Sequence, residues 1–421
     1  MRRIAFVALS CVVGALIGTA PARAQTVYPK RTTIWRTGTE DGLTLFVGGD
    51  GIVYLIDMDG SVENTWQSPY PNEVLDSVEA LAGGNILVFS GPPFPNPKTK
   101  ALELDYDGNI VWEYDVPAQA PAGTDFHHDS ARLPDGNTLI LGSRTVNAPQ
   151  ISPLPLVDDY IVEVTPAGQV VWEWNTWTHF AQFGFDSDAQ ALIAAKGGDW
   201  AHANSINPLP ANDHTDPALA EGNILVSQRS TNTFFIIDKQ TKDIVWKIGP
   251  EPHLTFGQHD PHMIPQGLPG AGNILVFDNG AGVGYPLEVQ APGFSSVYEV
   301  DPVTQTPVWT YQASDSGLSN FSFFANIVSG SQRLSNGNTL ICSGAKGRLF
   351  EVSPTGDLLW EYMSPYANSG GFSESRVVFR AYRLPYRWHT TALSRWVPVE
   401  QLPGGPSLVG SGIPGTALKT K

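Results

Sequence analysis

Tryptophan closes the same short phrase six times in this chain: GSVENTW at Trp66, GNIVW at Trp112, GQVVW at Trp172, KDIVW at Trp246, QTPVW at Trp309 and GDLLW at Trp360. Successive tryptophans lie 46, 60, 74, 63 and 51 residues apart, and self-similarity at such a period constrains the architecture before any motif does. Two further echoes travel with each phrase. One is GGNILVFSG, DGNTLILGS, EGNILVSQR, AGNILVFDN and NGNTLICSG; the other is LELDYDG, IVEVTPAG, FIIDKQ, VYEVDPV and LFEVSPTG. Each unit therefore holds several short β-branched runs parted by Gly, Asn, Asp or Pro, the pattern of strands joined by turns. The fold expected is all-β: a six-bladed propeller with four-stranded blades around a central channel.

The content of 42 glycines and 34 prolines suits many tight turns. Only Asp186 to Lys196 reads as a helix, with acidic residues in its first turn and Gly197-Gly198 behind it. Residues 1–24 read as a secretory signal: Arg2-Arg3, an apolar run from Ile4 to Thr19, and Ala22-Arg23-Ala24 before Gln25. Residues 25–421 are then one propeller domain, exported to the periplasm or secreted, with no membrane span in it. Without the signal, 22 basic residues face 41 acidic ones, a net charge of −19 that repels nucleic acid. Cys11 leaves with the signal, and Cys342 in NTLICSG reads as a small core residue.

Counting back six residues from the turn-starting position reaches His128 from Pro134, His202 from Pro208 and His259 from Pro265. The same count gives Asp76 and Ser329 in two other units. In a ring, equivalent positions become neighbours around one axis, so three imidazoles are expected at one mouth of the channel. The end of the second strand returns to that mouth, placing Arg229, Asn279 and Ser143 there. Arg229 supplies a fixed cation with forked donors suited to a sulfate, phosphate or carboxylate. His127, His253 and His262 are looser neighbours, whereas His179, His214 and His389 share no register. The first unit lacks its inner strand, and RVVFRAYRLP (376–385) is expected to supply it, closing the ring and setting Phe379 opposite the histidines. Phe126, Trp200 and Phe256, each just before a motif histidine, are candidates for an apolar slot, or else blade packing.

On FHHDSARLPDGNTLIL, DWAHANSI, ILVSQR, GQHDPH, GNILVFDNG and VFRAYRLP, the chain resembles the exported, PAPS-independent arylsulfotransferases across roughly residues 40–385. It is similar to a compact form without the N-terminal β-sandwich domain of enterobacterial relatives. The resemblance implies ping-pong sulfuryl transfer from an aryl sulfate donor to a phenolic acceptor through a sulfohistidine, with no cofactor. It implies His259 as nucleophile, with His128, His202 and Arg229 binding the sulfuryl oxygens and handling the phenolic proton. Imidazole suits nucleophile and proton carrier alike near neutral pH. Two other readings stand beside it. One is a metal-dependent lyase or oxygenase using the three imidazoles with Asp129 or Asp260; the other is a non-catalytic exported binding propeller.

Overall fold

The computed structural model describes residues 31–121, 123–249, 254–285, 291–368 and 375–390. The signal assigned to residues 1–24, and His253, lie outside them. Six antiparallel sheets form the ring, each built from strands A to D running from channel to rim. Blade 1 joins Ala381–Leu384 to Leu43–Val47, Val53–Ile56 and Val62–Trp66. Blade 2 comprises Val74–Ala80, Ile86–Gly91, Lys100–Leu104 and Ile110–Asp115; blade 3 comprises Asp125–Arg132, Thr138–Val146, Leu156–Val164 and Val170–Asn175. Blade 4 comprises Ala203–Pro208, Ile224–Gln228, Thr233–Ile237 and Ile244–Ile248. Blade 5 comprises His259–Met263, Ile274–Asp278, Ser296–Asp301 and Thr306–Tyr311; blade 6 comprises Gly330–Arg333, Thr339–Ser343, Arg348–Val352 and Leu358–Met363.

The repeated tryptophans explain the ring. Each indole N–H donates to a backbone carbonyl in the next blade: Trp66 to Asp105, Trp112 to Pro166, Trp172 to Lys239, Trp246 to Pro302, Trp309 to Pro354 and Trp360 to Met58, at 2.8–3.1 Å. The sixth bond leads from the last blade back to the first. The other echoes are polar clamps. Asn85, Asn137, Asn273 and Asn338 of the GN turns donate to Glu103, Glu163, Glu299 and Glu351 of strand C at 2.6–2.7 Å. All four glutamates also pair across a blade boundary, with Arg132, Lys239, Arg333 and Arg383. Buried carboxylates are tolerable only when compensated in this way. The apolar core lies between blades, as where Phe89, Ala101 and Tyr114 of blade 2 meet Phe126, Ile140 and Tyr160 of blade 3.

Ring closure follows the expected route, with Leu384 opposite Leu43 and Arg383 opposite Thr44. Two blades exceed four strands. Arg31–Trp35 adds a fifth strand outside blade 6, Arg31 opposite Met363, so part of the lead belongs to the sheet and covers its outer edge. Gly198–Asp199 adds a short parallel pairing to strand C of blade 3. The helix forms at Ser187–Lys196, capped by Asp186, whose carboxylate accepts from the Ala189 amide at 2.8 Å. Gly197 ends it at a φ of 56°, which favours glycine.

Candidate functional site

Four inner strands begin with an irregularity in register, and these irregularities shape the site. In blade 3, Phe126 faces Gly142 and Ser130 faces Ile140, so residues 127–129 lie opposite Leu141 alone. Comparable slips fall at Ala203/Ser205, His259/His262 and Asp76/Glu79. His128, His202, Asp260 and Ser77 have positive φ of 63°, 56°, 55° and 55°, a conformation that costs non-glycine residues about 1–3 kcal/mol. Bulges of this kind re-aim side chains.

His128 and His259 share the expected register, with Asp76, Ser329 and Phe379 in their own blades. His202 does not. Pro208 is the last residue of its strand, opposite Ile224, so the turn begins at Leu209-Pro210 and the equivalent residue is Asn204. His202 stands two residues earlier, just ahead of the strand. It nevertheless reaches the cluster, its ring 5.0 Å from that of His128. Phe379 stands beside His128, edge to face at 5.4 Å, rather than across from it.

His259 is the most enclosed of the three, with 2% of its surface exposed. Its Nδ1 lies 2.7 Å from Asn279 Oδ1 and 3.1 Å from the Gly257 carbonyl. Asn279 spends its amide hydrogens on the carbonyls of Ala325 and Val328, at 2.6 and 3.0 Å. Its oxygen is thereby turned to the imidazole and can only accept, so Nδ1 carries the hydrogen and Nε2 holds a lone pair. Burial pushes the His259 pKa down to about 3; the Asn279 bond opposes this, while His202 and Arg229 add to it. The ring is a neutral nucleophile with a fixed tautomer.

His202 is aimed by Asp199, whose Oδ2 lies 2.6 Å from its Nδ1. Asp199 comes from the small added strand of blade 3. Burial raises its carboxyl, but the bond to His202 and the nearby positive groups win and hold it below the ordinary value. Arg229 follows strand B of blade 4, and its amide donates to the His202 carbonyl at 2.9 Å. Its guanidinium Nε is buried without a hydrogen-bond partner among the described residues. Burial lowers its pKa, partly offset by Asp199. A cation held short of partners beside a neutral nucleophile suits an anionic ligand.

His127 meets His128 Nδ1 to Nδ1 at 2.6 Å, and its own Nε2 lies 3.4 Å from Asp159 Oδ1. Burial opposes charge on His127, but the nearby Asp159 carboxylate, with Asp125 and Asp199, outweighs it and raises the pKa. His128 goes the other way, held well below the ordinary value by burial and by His127, His202, His259 and Arg380.

One residue further along three strands, Asp129, Asp260 and Arg380 form a buried ionic layer beneath this mouth. A cavity lined by Glu79, His262 and Tyr382 lies beyond it. His262, 3.0 Å from the Asp260 carbonyl, therefore belongs to the other side. His179 stacks on Trp174, His389 stacks on Tyr106, and His214 contacts the Gly272 carbonyl. Phe126 and Trp200 are core residues, packed on Phe89 and on Phe180; Phe256 is half-buried. Among the described residues, no three His, Cys, Asp or Glu side chains are grouped to hold a metal ion. Asp199 and Asn204 were not singled out from the sequence; Asp199 carried a signal, three residues before a motif histidine.

The profile of the Arylsulfotransferase (ASST) family matches residues 31–254 and 251–364. No curated protein matches. Among solved structures, a protein of unknown function from Bacteroides caccae is similar at a TM-score of 0.50 and 17% identity, over 81% of this chain and 98% of that one. Virginiamycin B lyase from Staphylococcus aureus is similar at 0.39 and 12%, over 79% and 87%. The first of these likenesses is one of fold. With the family profile spanning most of the propeller, the chain belongs to the arylsulfotransferase family.

Proposed function

We propose that the protein transfers a sulfuryl group from an aryl sulfate to a phenol in the periplasm or outside the cell, after removal of residues 1–24. The observation that carries this reading is the pairing of His259 with Asn279 beside Arg229: a neutral imidazole with a free Nε2 next to an under-partnered cation. In the donor step Nε2 attacks sulfur, the bond from sulfur to the aryl oxygen breaks, and that oxygen leaves with the electron pair. Arg229 and His202 hold the sulfuryl oxygens as charge develops, and the departing oxygen takes a proton from the imidazoles facing it. The acceptor step is the reverse. A phenol oxygen loses its proton, bonds to sulfur, and the pair in the N–S bond returns to His259. Splitting the transfer lets donor and acceptor use one mouth in turn.

Family membership and the fixed tautomer of His259 beside the Arg229 cation support the reading. The test is incubation with 4-nitrophenyl sulfate, with and without phenol, followed by intact-mass measurement. Nitrophenol release that depends on phenol, and a sulfuryl adduct that disappears in His259→Asn, are the expected results. Release without any adduct removes the covalent route, and no release removes the activity.

A further inference from the structure

Adjacent residues of a regular strand point to opposite faces of the sheet. His127 and His128 break that rule. Three residues of their strand face one residue of its neighbour, and His128 takes a φ of 63°. The two rings then meet edge to face, 4.8 Å between centroids at 89°. A backbone held in this conformation to bring Nδ1 against Nδ1 is costly, and core packing does not require it, since both side chains remain partly exposed.

The geometry points to a proton relay, Asp159 to His127 to His128, in which His127 is a positioning residue that decides which nitrogen of His128 bears hydrogen. Only one hydrogen fits between two Nδ1 atoms 2.6 Å apart. When His127 is an imidazolium, it donates to His128, whose own hydrogen must then be on Nε2. When His127 is neutral, with its hydrogen on Nε2 toward Asp159, His128 donates Nδ1–H to it and keeps a lone pair on Nε2. One proton on His127 therefore converts His128 Nε2 from acceptor to donor. The charged and titratable groups around His127 are Asp159 on strand C, Asp125 and His128 on its own strand, and Asp199 on the added strand. Asp159 further couples the two sides of the site, because its other oxygen accepts from the Ala203 amide at 2.7 Å, directly after His202.

The relay rests on the sulfuryl-transfer reading for its role. In the donor step the leaving aryl oxygen takes the Nε2 proton of His128. His128 Nδ1 is replenished from His127, which ends neutral. In the acceptor step the phenol proton passes to His128 Nε2 and the Nδ1 proton passes back to His127, restoring the imidazolium beside Asp159. Each cycle returns the proton it spends. His202, locked onto a carboxylate that stays ionised, has no such second base.

Two measurements test this. Long-range proton–nitrogen NMR on the free protein reads both tautomers without any substrate. The expected result is that His128 moves from Nε2–H to Nδ1–H as pH rises through the His127 titration; a single His128 tautomer throughout overturns the relay. The second measurement separates the steps by rapid mixing. Nitrophenolate is a good leaving group and needs little protonation, whereas an unsubstituted phenol must lose its proton. His127→Phe should slow the phenol step about 10²-fold more than the nitrophenyl sulfate step, and equal slowing of both means a structural role only. Asp159→Asn keeps both imidazoles and removes the charge that raises the His127 pKa. The phenol step, which needs neutral His127, should then hold its rate to lower pH. An unmoved profile overturns the role of Asp159. If the native protein releases no nitrophenol, the transfer reading fails while the NMR result still decides the relay.

Discussion

Two layers of the same channel, one residue apart on the same strands, handle charge in opposite ways. In the deeper layer Arg380 Nη1 lies 3.2 Å from both oxygens of Asp129, and its Nε lies 3.2 Å from Asp260. Asp129 also accepts from the Ile206 amide at 2.9 Å. Burial works against the Arg380 charge, and the two carboxylates outweigh it, so the cation is permanent. The mouth layer holds the neutral His259, the low-pKa His128 and a guanidinium whose Nε has no hydrogen-bond partner among the described residues. The contrast teaches that enclosure alone does not mark a site. What marks it is enclosure without a counter-charge. Arg380 has two carboxylates at 3.2 Å, although its Nε and Nη2 make no hydrogen bond among the described residues. Among those residues no carboxylate pairs with Arg229, which leaves room for a charge brought by a ligand.

Exchanging single residues should separate the layers. His259→Asn removes the proposed nucleophile, and phenol-dependent nitrophenol release should fall by about 10⁴-fold or more, with cooperative unfolding in urea retained. Arg380→Leu should do the reverse. It strands two buried carboxylates and should lower unfolding stability by about 3–5 kcal/mol, read as the shift of the urea midpoint, while the folded fraction still forms the His259 adduct. If Arg380→Leu unfolds at the native midpoint, the buried ionic layer does not stabilise the ring. Arg229→Met should cost about 10²–10³ in turnover with little change in that midpoint, since among the described residues no hydrogen bond of its side chain ties it into the fold.

The deeper layer also shows where sequence reading stopped. Tryptophan spacing was enough for the blades because each indole performs the same task, a bond to the next blade. The closing strand was legible because Leu384-Pro385 copies Leu133-Pro134 and an unclosed ring lacks a strand. The register of His202 was not, because Pro208 imitates a turn-starting proline while serving as the last residue of a strand. Convergence of the three rings survived that error because the bulge between Ala203 and Ser205, with the positive φ of His202, carries that ring to the mouth by another path. Arg380 escaped for a different reason. Its partners Asp129 and Asp260 come from separate blades, and no local pattern in one strand announces a carboxylate waiting on another.

Asn279 bears on the contrast most finely, because it fixes the tautomer of His259 without adding a charge beside a ring that burial keeps neutral. With the His259 pKa pushed down to about 3, protonation of the nucleophile should leave no acid limb in the donor step at ordinary pH. Asn279→Asp replaces a neutral acceptor with a carboxylate of nearly the same shape. An anion at hydrogen-bond distance favours the imidazolium, raising the His259 pKa by about 1–3 units, and the proton so bound occupies the Nε2 lone pair that must attack sulfur. The rate of nitrophenol release in a single turnover should then fall as pH drops through the raised pKa, while the native protein shows no loss from this cause until far more acidic conditions. The high-pH plateau should change least, since the tautomer is preserved there. Loss of rate at every pH, with no new limb, would mean that the side chain at 279 acts by holding the ring in place rather than through its charge.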